Sequence, residues 1–130
     1  MKRVLFVCVH NSGRSQMAEA FFNRMAGGKA EAASAGTDPA AAVNATVVEV
    51  MKEVGMDISA NIPKALTREM LHGTDKVITM GCGAEGVCPA TFTDTEDWGL
   101  EDPKGQPIEQ VREIRDEIKS KVAAMLAQEM

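Results

Sequence analysis

Val4-Leu-Phe-Val-Cys8-Val-His-Asn-Ser-Gly-Arg14 decides how this chain is read. The apolar run Val4–Val7 has the continuous, β-branched and aromatic character of a strand buried on both faces. A helical pattern starts at Ser15. Between them lies a short loop holding Asn11, Ser12 and Gly13, all turn-forming residues. A strand, a tight loop and a helix N-terminus in that order form an anion cradle, because the loop N–H groups and the positive end of the helix dipole point at one spot. Arg14 adds a forked, permanently charged donor for a tetrahedral oxyanion. The same field favours a thiolate, so Cys8 is expected to act as a nucleophile at neutral pH.

Outward from this loop, strand and helix signals alternate. Arg3–Val7 predicts the first strand. Ser15–Ala26 predicts a helix with Met17, Ala20, Phe21 and Met25 near one face, stopped by Gly27-Gly28. Ala30–Ala35 is a weaker strand ending at Gly36. Asn44 can cap a helix carrying Val47, Val48, Met51 and Val54, and Gly55 ends it. Residues 58–63 read as irregular, and Thr67 caps a short helix to His72. Asp75–Met80 is a second buried strand, and Thr91–Trp98 holds a fourth. After a loop over Gly99–Gln106, Val111, Ile114, Ile118, Val122 and Met125 keep helical spacing in a last helix from Pro107 to Gln128. The alternation predicts one α/β domain over residues 1–130, a three-layer sandwich around a four-stranded parallel sheet. The loops at Cys8, Cys82 and Asp102 follow strands, so they are expected at one sheet edge.

The chain has 130 residues and a formal net charge of −5. That balance speaks against a general nucleic-acid or membrane-surface role. The apolar N-terminal run is too short for a signal-peptide core or a membrane span. A cytoplasmic location is expected, where cysteines are more often catalytic, redox-active or metal-binding than structural disulfides.

The remaining chemistry-bearing residues gain meaning from the loop. Ser15 can donate its hydroxyl toward the thiolate while also starting the helix. Asn11 can lock the loop through its amide, and Asn11, Ser12, Gly13, Arg14 and Ser15 together form the expected oxyanion site. His10 is expected to face solvent rather than to tune the thiolate. Asp102-Pro103 by itself is an ordinary turn; beside an anion site Asp102 becomes a candidate general acid. Cys82 and Cys88 bracket five residues with two glycines. They lack the close pairing of a zinc site, and a metal on Cys8 would leave Arg14 without a task. Two thiols in a glycine-rich segment near a reactive cysteine suit thiol–disulfide exchange.

These residues, in order, resemble the arsenate reductases of the thioredoxin-coupled type, which share the low-molecular-weight protein tyrosine phosphatase fold. The matching stretches are Cys8 to Glu19, Ser34-Ala-Gly36, Met51 to Ser59, Asp75 to Cys82 with Cys88-Pro89, and Trp98 to Pro103. The resemblance implies that arsenate docks against Arg14, that Cys8 attacks arsenic, and that Asp102 protonates the departing hydroxyl. It further implies that Cys82 then attacks Cys8 to release arsenite, and Cys88 attacks Cys82. The resulting Cys82–Cys88 disulfide would be reduced by thioredoxin, with no flavin or nicotinamide bound. Some family members bind potassium, which the resemblance would place at Asn11, Glu19 and Ser34. Many relatives carry a further cysteine just before the loop arginine; this chain has Gly13 there.

The main rival is a tyrosine phosphatase using Cys8, Arg14 and Asp102 through a cysteinyl-phosphate. Against it, the chain has no tyrosine, Lys104 follows Asp102-Pro103, and Trp98 is the one nearby aromatic. A phosphatase also has no use for Cys82 and Cys88 as a pair. A second rival, a thiol module that senses redox state or binds arsenic, would not need Asp102.

Overall fold

The strand β1 spans Lys2–Cys8, and every residue from Val4 onward is buried. Val4, Phe6 and Cys8 join one apolar cluster, while Leu5 and Val7 join another. This is the two-residue period of a strand with both faces covered. Each large apolar side chain so enclosed contributes about 1.5–3 kcal/mol of transfer free energy. The computed structural model describes residues 2–8, 10–80, 94–100 and 103–129, without the side chains of 94–97 and 129.

The other strands are β2 (Ala30–Gly36), β3 (Lys76–Thr79) and β4 (Asp94–Asp97). They form the expected four-stranded sheet in the order β2-β1-β3-β4, with every pair parallel. One face carries α1 (Arg14–Ala26), α2 (Ala45–Lys52) and α4 (Ile108–Glu129). Phe6 anchors that face, edge-on to Phe22 with ring centroids 6.0 Å apart and tilted against Trp98 at 5.7 Å. The opposite face is closed by the short helix α3 (Arg68–His72) through Leu71 and Met70, with Leu66 beside them.

Caps follow their local chemistry. Asn44 accepts the N–H groups of Thr46 and Val47 at the start of α2, and Thr67 accepts that of Met70 at the start of α3. Gly27 ends α1 in the left-handed conformation that glycine adopts without steric cost.

Two expectations need correction. Helix α1 begins at Arg14 rather than Ser15, with Gly13 as its N-cap. Met25 is 40% exposed instead of facing the core. Phe21 and Phe22 take the core-facing positions, wedged between the sheet and α4. Residues 58–63 are irregular as expected, and just past them Lys64 and Leu66 bracket Gly36 through two backbone hydrogen bonds. Among the described residues, no helix is long and apolar enough to cross a membrane.

The chain leaves β1 toward β2 on one side and reaches β3 on the other. In such sheets the strand order reverses beside the first strand, and the crevice opens at the C-terminal strand ends. Cys8 is the last residue of β1.

A candidate active site at the end of the first strand

The sulfur of Cys8 sits at the mouth of α1 and is 2% exposed. The backbone N–H of Asn11 donates to it at 3.2 Å, and the Ser15 oxygen lies 2.8 Å away. The backbone N–H of Lys64 donates to Asn11 Oδ1 at 2.8 Å, and Gln16 Nε2 donates to the same oxygen at 3.2 Å. The carbonyl end of the Asn11 amide is therefore committed, and its Nδ2 faces Ser15, donating to Oγ at 2.8 Å. That oxygen accepts from Asn11 and keeps its own proton to offer, with the sulfur 2.8 Å away. The Asn11 N–H and the Ser15 hydroxyl thus both meet the Cys8 sulfur.

Asn11 holds a left-handed backbone, φ 50°, a conformation asparagine tolerates better than most side chains. Its own amide N–H is turned to the sulfur by that bend. Gln16 supports it from the first turn of α1, donating to the Asn11 carbonyl at 3.1 Å and accepting from Asn61 Nδ2 at 3.1 Å. The loop is tied on its outer side as well. His10 and Ser12 offer their carbonyls to the backbone N–H groups of Ala40 and Asn44.

Arg14, the first residue of α1, is buried. Its Nη1 donates to the carbonyls of Met80 and Leu100, the latter at 3.0 Å. Two backbone oxygens from two other loops therefore orient the guanidinium plane. No side chain caps α1, and its own first turn has no acidic residue to compete for its positive end.

Of the expected oxyanion residues, Asn11 and Ser15 contact the Cys8 sulfur, Ser12 offers its carbonyl to Asn44, and Arg14 reaches Met80 and Leu100. His10 is half-buried instead of facing solvent. Its Nδ1 donates to the Asp38 carbonyl at 3.1 Å, which anchors the ring on the loop after β2. Cys82, Cys88 and Asp102 lie outside the described residues. Their described neighbours Met80, Leu100 and Pro103 are at the site through Arg14 and Gly13.

Of the three side chains offered to potassium, Ser34 and Glu19 meet directly, Ser34 giving its hydroxyl proton to Glu19 Oε1. Asn11 Oδ1 accepts from Lys64 and Gln16, and the other hydrogen bonds of Asn11 go to Ser15, Cys8 and Gln16.

Sequence reasoning missed Gln16, Asn61 and Lys64. Gln16 is 2% exposed. A long polar side chain in the first turn of a helix otherwise read by its apolar positions was the available signal.

Comparison with known proteins completes the picture. The family model for low molecular weight phosphotyrosine protein phosphatase matches residues 3–130. An arsenate reductase of Staphylococcus epidermidis is 37% identical over 123 residues, covering 93% of this chain and 93% of that protein. The glutaredoxin arsenate reductase of Synechocystis is 39% identical over 132 residues, covering 98% of each. Among solved structures, the thioredoxin-dependent arsenate reductase of Corynebacterium glutamicum superposes with a TM-score of 0.83 at 40% identity. That match covers 98% of this chain and 61% of the other, so this chain spans about three fifths of it.

Proposed function

The chain belongs to the low molecular weight phosphotyrosine protein phosphatase family, and within it we propose that it is an arsenate reductase working through protein thiols. The observation that carries this reading is the Cys8 sulfur, held by Ser15 and Asn11 at the start of an uncapped helix beside Arg14. The arsenate reductases among its relatives support the choice of substrate.

Arsenate, a tetrahedral oxyanion, binds in the loop with Arg14 and the N-terminus of α1 neutralising its charge. The Cys8 thiolate attacks arsenic, forming a sulfur–arsenic bond as one hydroxyl leaves. Asp102 supplies the proton that turns that hydroxyl into water. Cys82 then attacks the Cys8 sulfur. A Cys8–Cys82 disulfide forms, the electron pair of the sulfur–arsenic bond passes to arsenic, and As(V) leaves as As(III). Cys88 attacks Cys82, releasing Cys8 as a thiolate and leaving a Cys82–Cys88 disulfide. A dithiol protein of the thioredoxin type reduces that disulfide; thioredoxin, at roughly −270 mV, is reducing enough for the task. Thioredoxin is favoured over a small-thiol donor because both resolving cysteines are present in the sequence. Two electrons reach arsenic from two thiols, so the cycle calls on no flavin or nicotinamide. It also routes no step through a cation.

The test is arsenate-dependent NADPH oxidation with thioredoxin and thioredoxin reductase. Cys8→Ser, Cys82→Ser and Cys88→Ser are each expected to abolish multiple turnover, while Cys88→Ser still releases one arsenite per enzyme. Wild-type-like turnover by Cys82→Ser and Cys88→Ser would rule out the relay. The anion loop takes phosphate as readily as arsenate, so weak para-nitrophenyl phosphate hydrolysis is expected alongside. Strong hydrolysis without arsenate-dependent NADPH loss would make the protein a phosphatase.

A further inference from the structure

We propose that Gln16 is a positioning residue for the Cys8 sulfur: its single amide grips both oxygens of Asn11 and so holds Asn11 in the left-handed bend that aims the Asn11 N–H at the sulfur. This role deepens the arsenate-reductase reading and rests on it for the reaction the sulfur performs.

Both of the described groups that meet the sulfur depend on Asn11. Its backbone N–H donates to the sulfur at 3.2 Å. Its Nδ2 donates to Ser15 Oγ at 2.8 Å, and that oxygen lies 2.8 Å from the sulfur. Asn11 has φ 50°, a bend that carries a steric cost for any residue with a side chain and persists where its surroundings hold it.

Three hydrogen bonds to the two Asn11 oxygens hold it. The Lys64 backbone N–H reaches Oδ1 at 2.8 Å. Gln16 Nε2 reaches the same Oδ1 at 3.2 Å and the Asn11 backbone carbonyl at 3.1 Å. A group that held Oδ1 alone would leave the peptide after Asn11 free to turn. Gln16 takes the side chain and the backbone together, and so fixes one against the other.

Nothing is left over at the Gln16 end. A primary amide offers two N–H donors and one carbonyl. Both donors face Asn11, and Oε1 accepts from Asn61 Nδ2 at 3.1 Å. A backbone carbonyl can only accept, so the end of Gln16 that meets it is the NH2 end. Gln16 is the third residue of α1, so a rigid element carries the amide. It is 2% exposed, which keeps water from replacing a lost donor. Its side-chain hydrogen bonds go to Asn11 and Asn61, none to the sulfur, so its influence on Cys8 runs through Asn11.

The experiment follows alkylation of Cys8 by iodoacetamide near neutral pH, read by the mass of the Cys8 peptide, with inorganic phosphate as protecting anion. Arsenate turnover with thioredoxin, thioredoxin reductase and NADPH is measured beside it. Gln16→Met keeps the length of the side chain and removes its donors. Its alkylation rate and kcat are each expected to fall about five- to tenfold. The half-protecting phosphate concentration should stay within about twofold of wild type, since the Arg14 guanidinium is held by Met80 and Leu100 rather than through Gln16. Combined with Asn11→Gly, the loss should fall short of the product of the single losses by at least about threefold, because one residue acts through the other. Gln16→Glu presents at most one proton to two oxygens and should lose at least about threefold in alkylation; it decides the matter if Gln16→Met does not fold. Wild-type rates in Gln16→Met would overturn the role and leave Gln16 a filler of space. Faster alkylation would overturn it too, because a merely loosened loop uncovers a buried sulfur. So would losses that multiply, or a loss of phosphate protection as large as the loss of alkylation. A wild type that shows this alkylation pattern without reducing arsenate would uphold the role of Gln16 and overturn the function.

Discussion

Two polar networks hold this molecule together, and they work by opposite means. Around Cys8 the partners are neutral and sealed: Asn11 and Ser15 are fully buried, and Gln16 is 2% exposed. Between the end of α2 and α4 the partners are charged and wet. Glu53 accepts from Arg112 Nη2 at 2.7 Å and from Arg115 Nη1 at 2.8 Å, with a third or more of the Glu53 and Arg112 side chains exposed. In the sealed network each side chain meets named partners, and the Ser15 hydroxyl lies 2.8 Å from the sulfur. In the wet network water can replace any partner, so charge is neutralised but no direction is imposed. Catalysis draws on the first kind of arrangement, and the docking of a surface helix is content with the second.

Breaking the sealed network at its hub should have the largest effect. Asn11→Ala removes the acceptor of the part-buried Lys64 N–H, at about 0.5–1.5 kcal/mol. It also forces alanine into the left-handed region, at roughly 1–2 kcal/mol. Arsenate turnover is expected to fall at least about a hundredfold, and urea denaturation should show a lower midpoint. Asn11→Gly relieves the backbone but not the lost amide. It should be more stable than Asn11→Ala yet nearly as inactive; equal activity in Asn11→Gly and wild type would show that only the turn matters.

One step smaller is Ser15→Ala, which removes a single charge-assisted donor from the sulfur and leaves the loop in place. A hydrogen bond to a charged group is worth about 1.5–3 kcal/mol, so a ten- to hundredfold loss in the rate of Cys8 alkylation by iodoacetamide near neutral pH is expected. Thermal stability should change little. An unchanged alkylation rate would mean that Asn11 alone suffices at the sulfur.

The difference between the networks also explains what could be read from the sequence. Cys8, the Asn44 and Thr67 caps and the glycine stops act on neighbours within a few residues, so local chemistry announces them; Arg14 is announced by its place at the end of the loop, although its bonds reach Met80 and Leu100. The β1 and β3 strands show themselves through unbroken apolar runs. Lys64 meets Asn11 from 53 residues away through its backbone, and no side-chain pattern records a backbone donor. Gln16 sits at a helical position where a polar residue normally faces water, so periodicity hides its burial. Pro103 against Gly13 is likewise a contact made by the fold, not by spacing. Met25 fails for the reverse reason: its spacing is right, but Phe21 and Phe22 already fill the space it would enter.

The smallest effect sharpens the contrast from the wet side. Hydrogen bonding from Arg112, with help from Arg115, holds the Glu53 carboxyl down to about 2 from an ordinary 4.5. A group whose pKa is lower in the folded than in the unfolded chain stabilises the fold above the unfolded value, and that contribution is lost as pH falls through the folded value. Glu53→Gln should therefore melt below wild type at pH 7, by the same margin at pH 6. The gap should close as pH drops from about 4.5 toward 2, where wild-type Glu53 also takes up its proton. Arg115 keeps the Val50 carbonyl at 2.9 Å and Asp116 at 2.9 Å in the variant, which limits the damage. Arsenate turnover at pH 7 should stay at the wild-type level, since none of these groups touches the anion loop. A pH-independent melting gap would remove the ion pair as its cause, and lost turnover would mean that the wet network, too, reaches the sulfur.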